Sequence, residues 1–193
     1  MAQQILPLVN IQKMYVAKIL TETNDTATFD TPRYLEGIKE FGVKLKSASD
    51  SYYDEGRKKL DETTLSDIDI TINITDLSDE DNDYVLGHKL AKEGGVIKNI
   101  KDIAPELAIL IKANKAKGVD RYLVFYAGKF QEPDSDIKDK EGKTNFQSLK
   151  LQASFRALKN GLWSWKIDSD SENASTIIPN FFKQVTLPTP KTV

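Results

Sequence analysis

Between residues 67 and 75 the chain reads DIDITINIT, with isoleucine at Ile68, Ile70, Ile72 and Ile74 and only Asp, Asn or Thr between them. A side-chain period of two predicts a half-buried strand, about 25 to 30 Å long at the usual rise per residue. The isoleucines face a core, and Asp67, Asp69, Thr71 and Asn73 face water. The same period predicts strands over 14–20, 38–45 and 146–158, where Leu149, Leu151, Ala153 and Phe155 alternate with Ser148, Lys150, Gln152, Ser154 and Arg156. Alternation alone leaves open which way Lys150 and Arg156 point. Apolar runs at 108–112 and 121–130 flank NKAKGVD, whose Lys117-Gly118 step predicts a hairpin. Asn160-Gly161 is a stronger turn signal and predicts a second hairpin, from 146–158 into 162–167. That pairing adds Phe155 and Trp163 to the four isoleucines as candidate core. One helix is expected after Ser78, because Asp79, Glu80 and Asp81 place negative charge where the amide dipoles of a first turn favour it. Residues 177–185 fit a short helix or a strand.

Three stretches break the pattern. Residues 1–13, with Pro7, predict an extended N-terminal arm, and the proline-containing 186–193 predicts a flexible tail. The run at 46–66, KSASDSYYDEGRKKLDETTLS, loses all alternation and predicts an extended loop. A connection of about twenty residues is rare inside a compact domain and commonly serves a function. Tyr52 and Tyr53 beside Arg57, Lys58 and Lys59 are residue types that anchor protein contacts, although a solvated loop accounts for them equally well. The resulting fold class is mainly β: one domain over 1–193, an antiparallel sandwich or barrel-like structure with one flanking helix and a long inter-strand loop.

Composition narrows the chemistry. With 193 residues, 39% of them hydrophobic, the chain can bury one full core. A formal charge of −2 provides no basic footprint for nucleic acid phosphates. The absence of cysteine excludes disulfides and thiolate chemistry. The first twenty residues, interrupted by Pro7, Asn10, Lys13 and Lys18, fit neither a signal peptide nor a membrane span. His88 is the one histidine; even with Asp81 and Asp83 nearby in sequence it is a poor basis for a metal site. Asp168, Asp170 and Glu172 begin like a calcium loop, but Asn173 and Pro179 stand where the turn glycine and closing glutamate belong, and the acidic residues are expected on solvated faces. No phosphate-binding glycine loop or nucleophile elbow occurs. The expectation is a protein that is not an enzyme and has no cofactor, metal or catalytic residues.

A strand domain has edges to hide, and a ring of identical copies joined head to tail hides them; the wet faces of 67–75 would then line a channel. Taken in order, YVAKI at 15–19, LEGI at 35–38, SDIDITINITDL at 66–77, LGH at 86–88, GGV at 94–96, APELAILIKA at 104–113, YAGKFQEP at 126–133, TNFQSLKLQASF at 144–155, WSWKID at 163–168 and IIPNFFKQV at 177–185 span nearly the whole chain. This series resembles the major tail (tail tube) proteins of long-tailed, non-contractile phages of Gram-positive bacteria. The resemblance implies a β-sandwich subunit that forms hexameric rings, stacked into a tube around a tape-measure protein. It implies tail terminator and distal tail proteins as further partners, transient passage of double-stranded DNA, no membrane, and assembly in the host cytoplasm into the virion. It also assigns 46–66 to contacts between rings, and the sheet carrying Asp67, Asp69, Thr71 and Asn73 to the inner wall, where carboxylates would repel phosphate. Two other readings remain: the tube of a phage-tail-like bacteriocin or injection machine, and a soluble binding module using Tyr52, Tyr53 and the 57–59 triplet.

Overall fold

The computed structural model describes residues 5–54, 57–134 and 148–191, with backbone alone for 48–64 and 66. Its strands are β1 (Leu8–Glu22), β2 (Ala27–Phe29), β3 (Arg33–Leu35), β4 (Ile38–Asp54), β5 (Arg57–Ile74), β6 (Lys89–Leu90), β7 (Val96–Ile97), β8 (Leu107–Lys115), β9 (Asp120–Phe130), β10 (Leu149–Arg156) and β11 (Ser164–Asp168). Two short helices, α1 (Asp79–Leu86) and α2 (Ala174–Ile177), complete the described elements apart from two 3-10 turns. Every pairing is antiparallel. Among the described residues nine strands form one sheet, ordered β2-β1-β8-β9-β10-β5-β4, with β3 added to β1 and β11 to β9; β6 and β7 form a separate small ladder. The sheet does not close into a barrel.

The expected faces of the 67–75 segment are those observed. Ile68, Ile70, Ile72 and Ile74 are buried, while Asp69, Thr71 and Asn73 are half-exposed and Asp67 is exposed. The isoleucines pack in one cluster with Met14 and Val16 of β1, Ile109 and Ile111 of β8, Phe125 of β9 and Phe155 of β10. Three strands separate β1 from β5 along the ladder, about 19 Å if the sheet were flat. Shared packing therefore requires the sheet to curl over its own apolar face. Trp163 sits partly buried at the edge of this cluster, its ring 6.2 Å from that of Phe125. Gly128 makes room for the ring of Phe155, its opposite neighbour on β10, since a Cβ there would lie 2.3 Å from that ring.

A second core covers the other face of β8 and β9. Leu110, Tyr122, Val124 and Tyr126 pack there against Ala174, Ile167 and Phe181. The two central strands are thus buried on both faces, which explains why 108–112 and 121–130 read as apolar runs rather than alternating ones. The expected turn between them is present, with Lys117 and Gly118 both at positive φ. Helix α1 also begins as expected: Ser78 accepts from the Asp81 amide at 3.1 Å, and the helix stops at Gly87 with φ 76°. Its Val85 and Leu86 join the first core.

Four expectations are corrected. The 46–66 stretch is not an irregular loop: β4 and β5 pair from Ile38↔Ile74 out to Asp54↔Arg57, so it forms the outer half of a long hairpin. Cross-strand hydrogen bonds propagate strand geometry outward where the sequence itself does not alternate. Residues 8–13 of the expected N-terminal arm are strand, continuing β1 along β8 from Leu8↔Lys115, and 1–4 lie outside the described residues. The C-terminal tail is docked at its start: the Tyr126 hydroxyl donates to the Thr186 carbonyl at 2.9 Å, and Leu187 packs against the second core. Finally, β10 and β11 do not pair with each other. Both lie on the same edge of β9, β10 beside 127–130 and β11 beside 121–125. Asn160-Gly161 does turn, with the Gly161 amide donating to Leu158 O at 2.8 Å, but the turn belongs to a short excursion between two segments of one ladder position.

Candidate assembly interface

Pleat parity decides what accompanies Asp67 and Asp69. Residues directly opposite one another in an antiparallel ladder share a face. On β4, Lys46 lies opposite Asp67, Lys44 opposite Asp69 and Glu40 opposite Asn73. On β10, Ser154 lies opposite Asp69, Gln152 opposite Thr71 and Lys150 opposite Asn73, and Lys129 of β9 lies opposite Ser154. The wall carrying Asp67, Asp69, Thr71 and Asn73 is therefore mixed in charge rather than lined by carboxylates alone. Lys46 Nζ sits 2.7 Å from Asp69 Oδ2, and this partner raises the lysine pKa above its ordinary value. Arg156 belongs to the same face but is committed elsewhere. It grips Glu22 at 2.8 Å and Glu106 at 2.5 Å, joining the end of β10 to the end of β1 and to the residue before β8. The hydrogen bond from Arg156 is the main cause that holds the Glu22 carboxyl below its usual range.

The sheet has uncovered edges. β4 ends the ladder, and β1 is paired on both sides at 14–16, between β8 and β3; β2 meets it at 19–22, beyond its last pair with β8 at Lys18↔Leu107. Residues 8–13 pair with β8 alone among the described residues. Along β4 the core side is open as well: Val43 and Leu45 are 41% and 49% exposed although they lie opposite buried Ile70 and Ile68. A bulge follows at 66, where the register shifts between Lys46↔Asp67 and Ser47↔Leu65. One extra residue keeps Leu65, also exposed, on the face of Val43 and Leu45. The apolar strip thus runs past the last core residue to the base of the projecting hairpin.

Beyond that bulge β5 has left β10, whose pairing stops at Phe155↔Ile68. Residues 47–54 and 57–65 continue as a two-stranded ribbon, about 25 Å long at the usual rise. Tyr52 is at the position opposite Leu60, Tyr53 opposite Lys58, and Arg57 opposite Asp54, so all five contact candidates, Lys59 included, fall in the outer part of the ribbon. Their side chains lie outside the described residues, as does the ribbon tip at 55–56.

Two ionic clusters escaped the sequence reading because their members are far apart in the chain. Asp168 is 1% exposed rather than solvated; Arg121 Nε and Lys115 Nζ meet its two carboxylate oxygens at 2.7 and 2.8 Å. The residue that resembled the start of a calcium loop instead ties β11 to the β8–β9 hairpin. Removing its charge in Asp168→Asn takes a buried carboxylate away from both Lys115 and Arg121. A loss of about 3 to 5 kcal/mol is expected, read as a lower urea midpoint. The second cluster surrounds His88, whose ring lies between Asp102 and Glu132. Neither Asp81 nor Asp83 takes part. Among the described residues no group of three His, Cys, Asp or Glu side chains is arranged to hold a metal ion. No family model matches the chain, and no curated protein shows significant similarity to it.

Proposed function

We propose that this chain is the structural subunit of a tail tube, closing with identical copies into a ring through its uncovered sheet edges and stacking ring on ring through the β4–β5 ribbon. The observation that carries this reading is the open β4 edge with its exposed Val43, Leu45 and Leu65, continuous with a ribbon that projects from the sheet. A long edge strand presents a row of unpaired backbone groups, a template for pairing with another chain. A second copy supplies the missing ladder partner and buries the strip. A two-stranded ribbon is at best marginally stable alone in water, so contact with the next ring gives it a stabilising surface. The curled sheet then presents its polar face, including Asp67, Asp69, Thr71 and Asn73, to the passage. With Lys44, Lys46, Lys129 and Lys150 on the same face, the wall is close to charge balance. Such a wall binds phosphate weakly because attraction and repulsion offset within a Debye length.

Negative-stain micrographs and sedimentation of the purified protein over a range of concentrations test the proposal. Rings or tubes are expected at high concentration. A monodisperse monomer throughout overturns it and favours the binding-module reading. Changing the wall tests its orientation: Asp67→Lys with Asp69→Lys substitutes two positions outside the core, so folding and tube formation are expected to survive. The tubes should now retain DNA, giving slower release and a steep salt dependence. Unchanged release kinetics would place those side chains away from the passage.

A further inference from the structure

His88, the chain's one histidine, is buried directly after Gly87, the left-handed cap of α1. The backbone is pressed against the following segment at this point: a Cβ on Gly87 would lie 2.4 Å from the Ile103 carbonyl oxygen. The imidazole Nδ1 is 2.9 Å from Asp102 Oδ2, and Nε2 is 2.8 Å from Glu132 Oε2. Asp102 also accepts from the Asn99 amide at 2.8 Å, and Glu132 is held by Lys98. One carboxylate belongs to the excursion after β7 and the other to the end of β9, so the ring bridges two parts of the fold. The charged groups facing it are Asp102, Glu132 and Lys98, with Lys89 next in the chain.

An imidazolium donates from both nitrogens, whereas a neutral ring has one N–H and one lone pair. At these distances a lone pair pointing at a carboxylate oxygen is repulsive, so both contacts are satisfied together only by the doubly protonated ring. We propose that His88 is a protonation-controlled clasp that closes residues 89–104 onto the end of β9 when the ring carries two protons and releases them when one is lost. The groove beside the ring, about 460 Å³ and lined in part by Lys98, Ile100 and Phe130, gives solvent access to the departing proton. The released segment carries Leu90, Ile97, Ile100 and Ile103, all exposed. On the acid side the carboxylates limit the clasp. The His88 hydrogen bond is the main cause that lowers the Asp102 pKa; for Glu132 burial acts upward but is outweighed by the Lys98 and His88 hydrogen bonds. A depressed carboxylate pKa contributes stability that is present above the unfolded value and lost as pH falls through the folded one. On that side the clasp thus opens as the carboxylates take up protons.

The experiment follows the full chain through the titration of its single imidazole by ring ¹⁵N chemical shifts, with amide hydrogen exchange measured over the same pH range and corrected for intrinsic rates. The reporter amides are those of Ala91, Gly94 and Asp102, each hydrogen-bonded within the excursion. Their protection should fall on the order of tenfold as the ring loses its second proton, while amides of β8 and β9 hold theirs. Glu132→Gln, at a half-exposed position, should keep the fold and abolish the step. Protection that stays level through the ring titration overturns the clasp, as does a step that persists in Glu132→Gln. A simultaneous loss in β8 and β9 overturns it too, because the event is then global unfolding.

Discussion

Ile70→Asp is expected to leave no folded soluble subunit. Ile70 is 1% exposed, lies between Val43 of β4 and Ala153 of β10, and packs in the cluster shared by both halves of the curled sheet. A carboxylate there either ionises in an apolar surround, at a cost of several kcal/mol, or stays protonated through a raised pKa and still loses the isoleucine's packing. Either route, at about 4 kcal/mol or more, is comparable to the lower end of the roughly 5 to 15 kcal/mol that typically holds a domain folded. Far-ultraviolet circular dichroism and the soluble fraction after expression check this. Thr71→Asp, one residue along on the half-exposed face, is the control and should fold. A soluble, cooperatively unfolding Ile70→Asp subunit would mean that the faces of β5 are reversed.

The second large effect concerns assembly. Replacing 48–64 by Asn-Gly joins Ser47 to Leu65, two residues that already face each other, through a turn suited to a two-residue hairpin. The subunit should fold with a urea midpoint close to that of the parent, because the deleted segment lies beyond the last pair that joins β5 to β10, Phe155↔Ile68. Tubes should disappear while single rings persist, since the ribbon is assigned to the contact between rings and the β4 edge to the contact within one. Normal tubes from this variant, seen by negative stain, would remove the ribbon from the stacking contact. Monomers alone would instead show that the ribbon also holds the ring together.

How much of this was legible follows from the range of the interactions involved. The strand at 67–75, its two faces, the start of α1 and the turn at Lys117-Gly118 all rest on contacts within a few residues or on a period imposed by one buried face. Such signals are written locally. The ribbon was not legible as strand, because its sequence carries no alternation; its geometry comes from a partner strand already in register. Asn160-Gly161 declared a turn correctly, but a turn does not choose a ladder partner. That choice fell to β9, whose long edge accommodates β10 and β11 in succession. The polar face shows the same limit. Alternation assigned Asp67 and Asp69 to it, yet the lysines that balance them arrive from β4, β9 and β10 through register.

The sequence alone therefore specified a mainly β chain, its principal core isoleucines and the start of its helix, all of which depend on near neighbours and on the pleat. Tertiary structure decided the rest: the curl that unites β1 with β5, the open β4 edge, the His88 contacts with Asp102 and Glu132, and the Arg156 grip on a glutamate 134 residues away. Charged partners at such separations leave no periodic trace, because a salt bridge requires only that two side chains end close together. The sheet topology supplies that closeness.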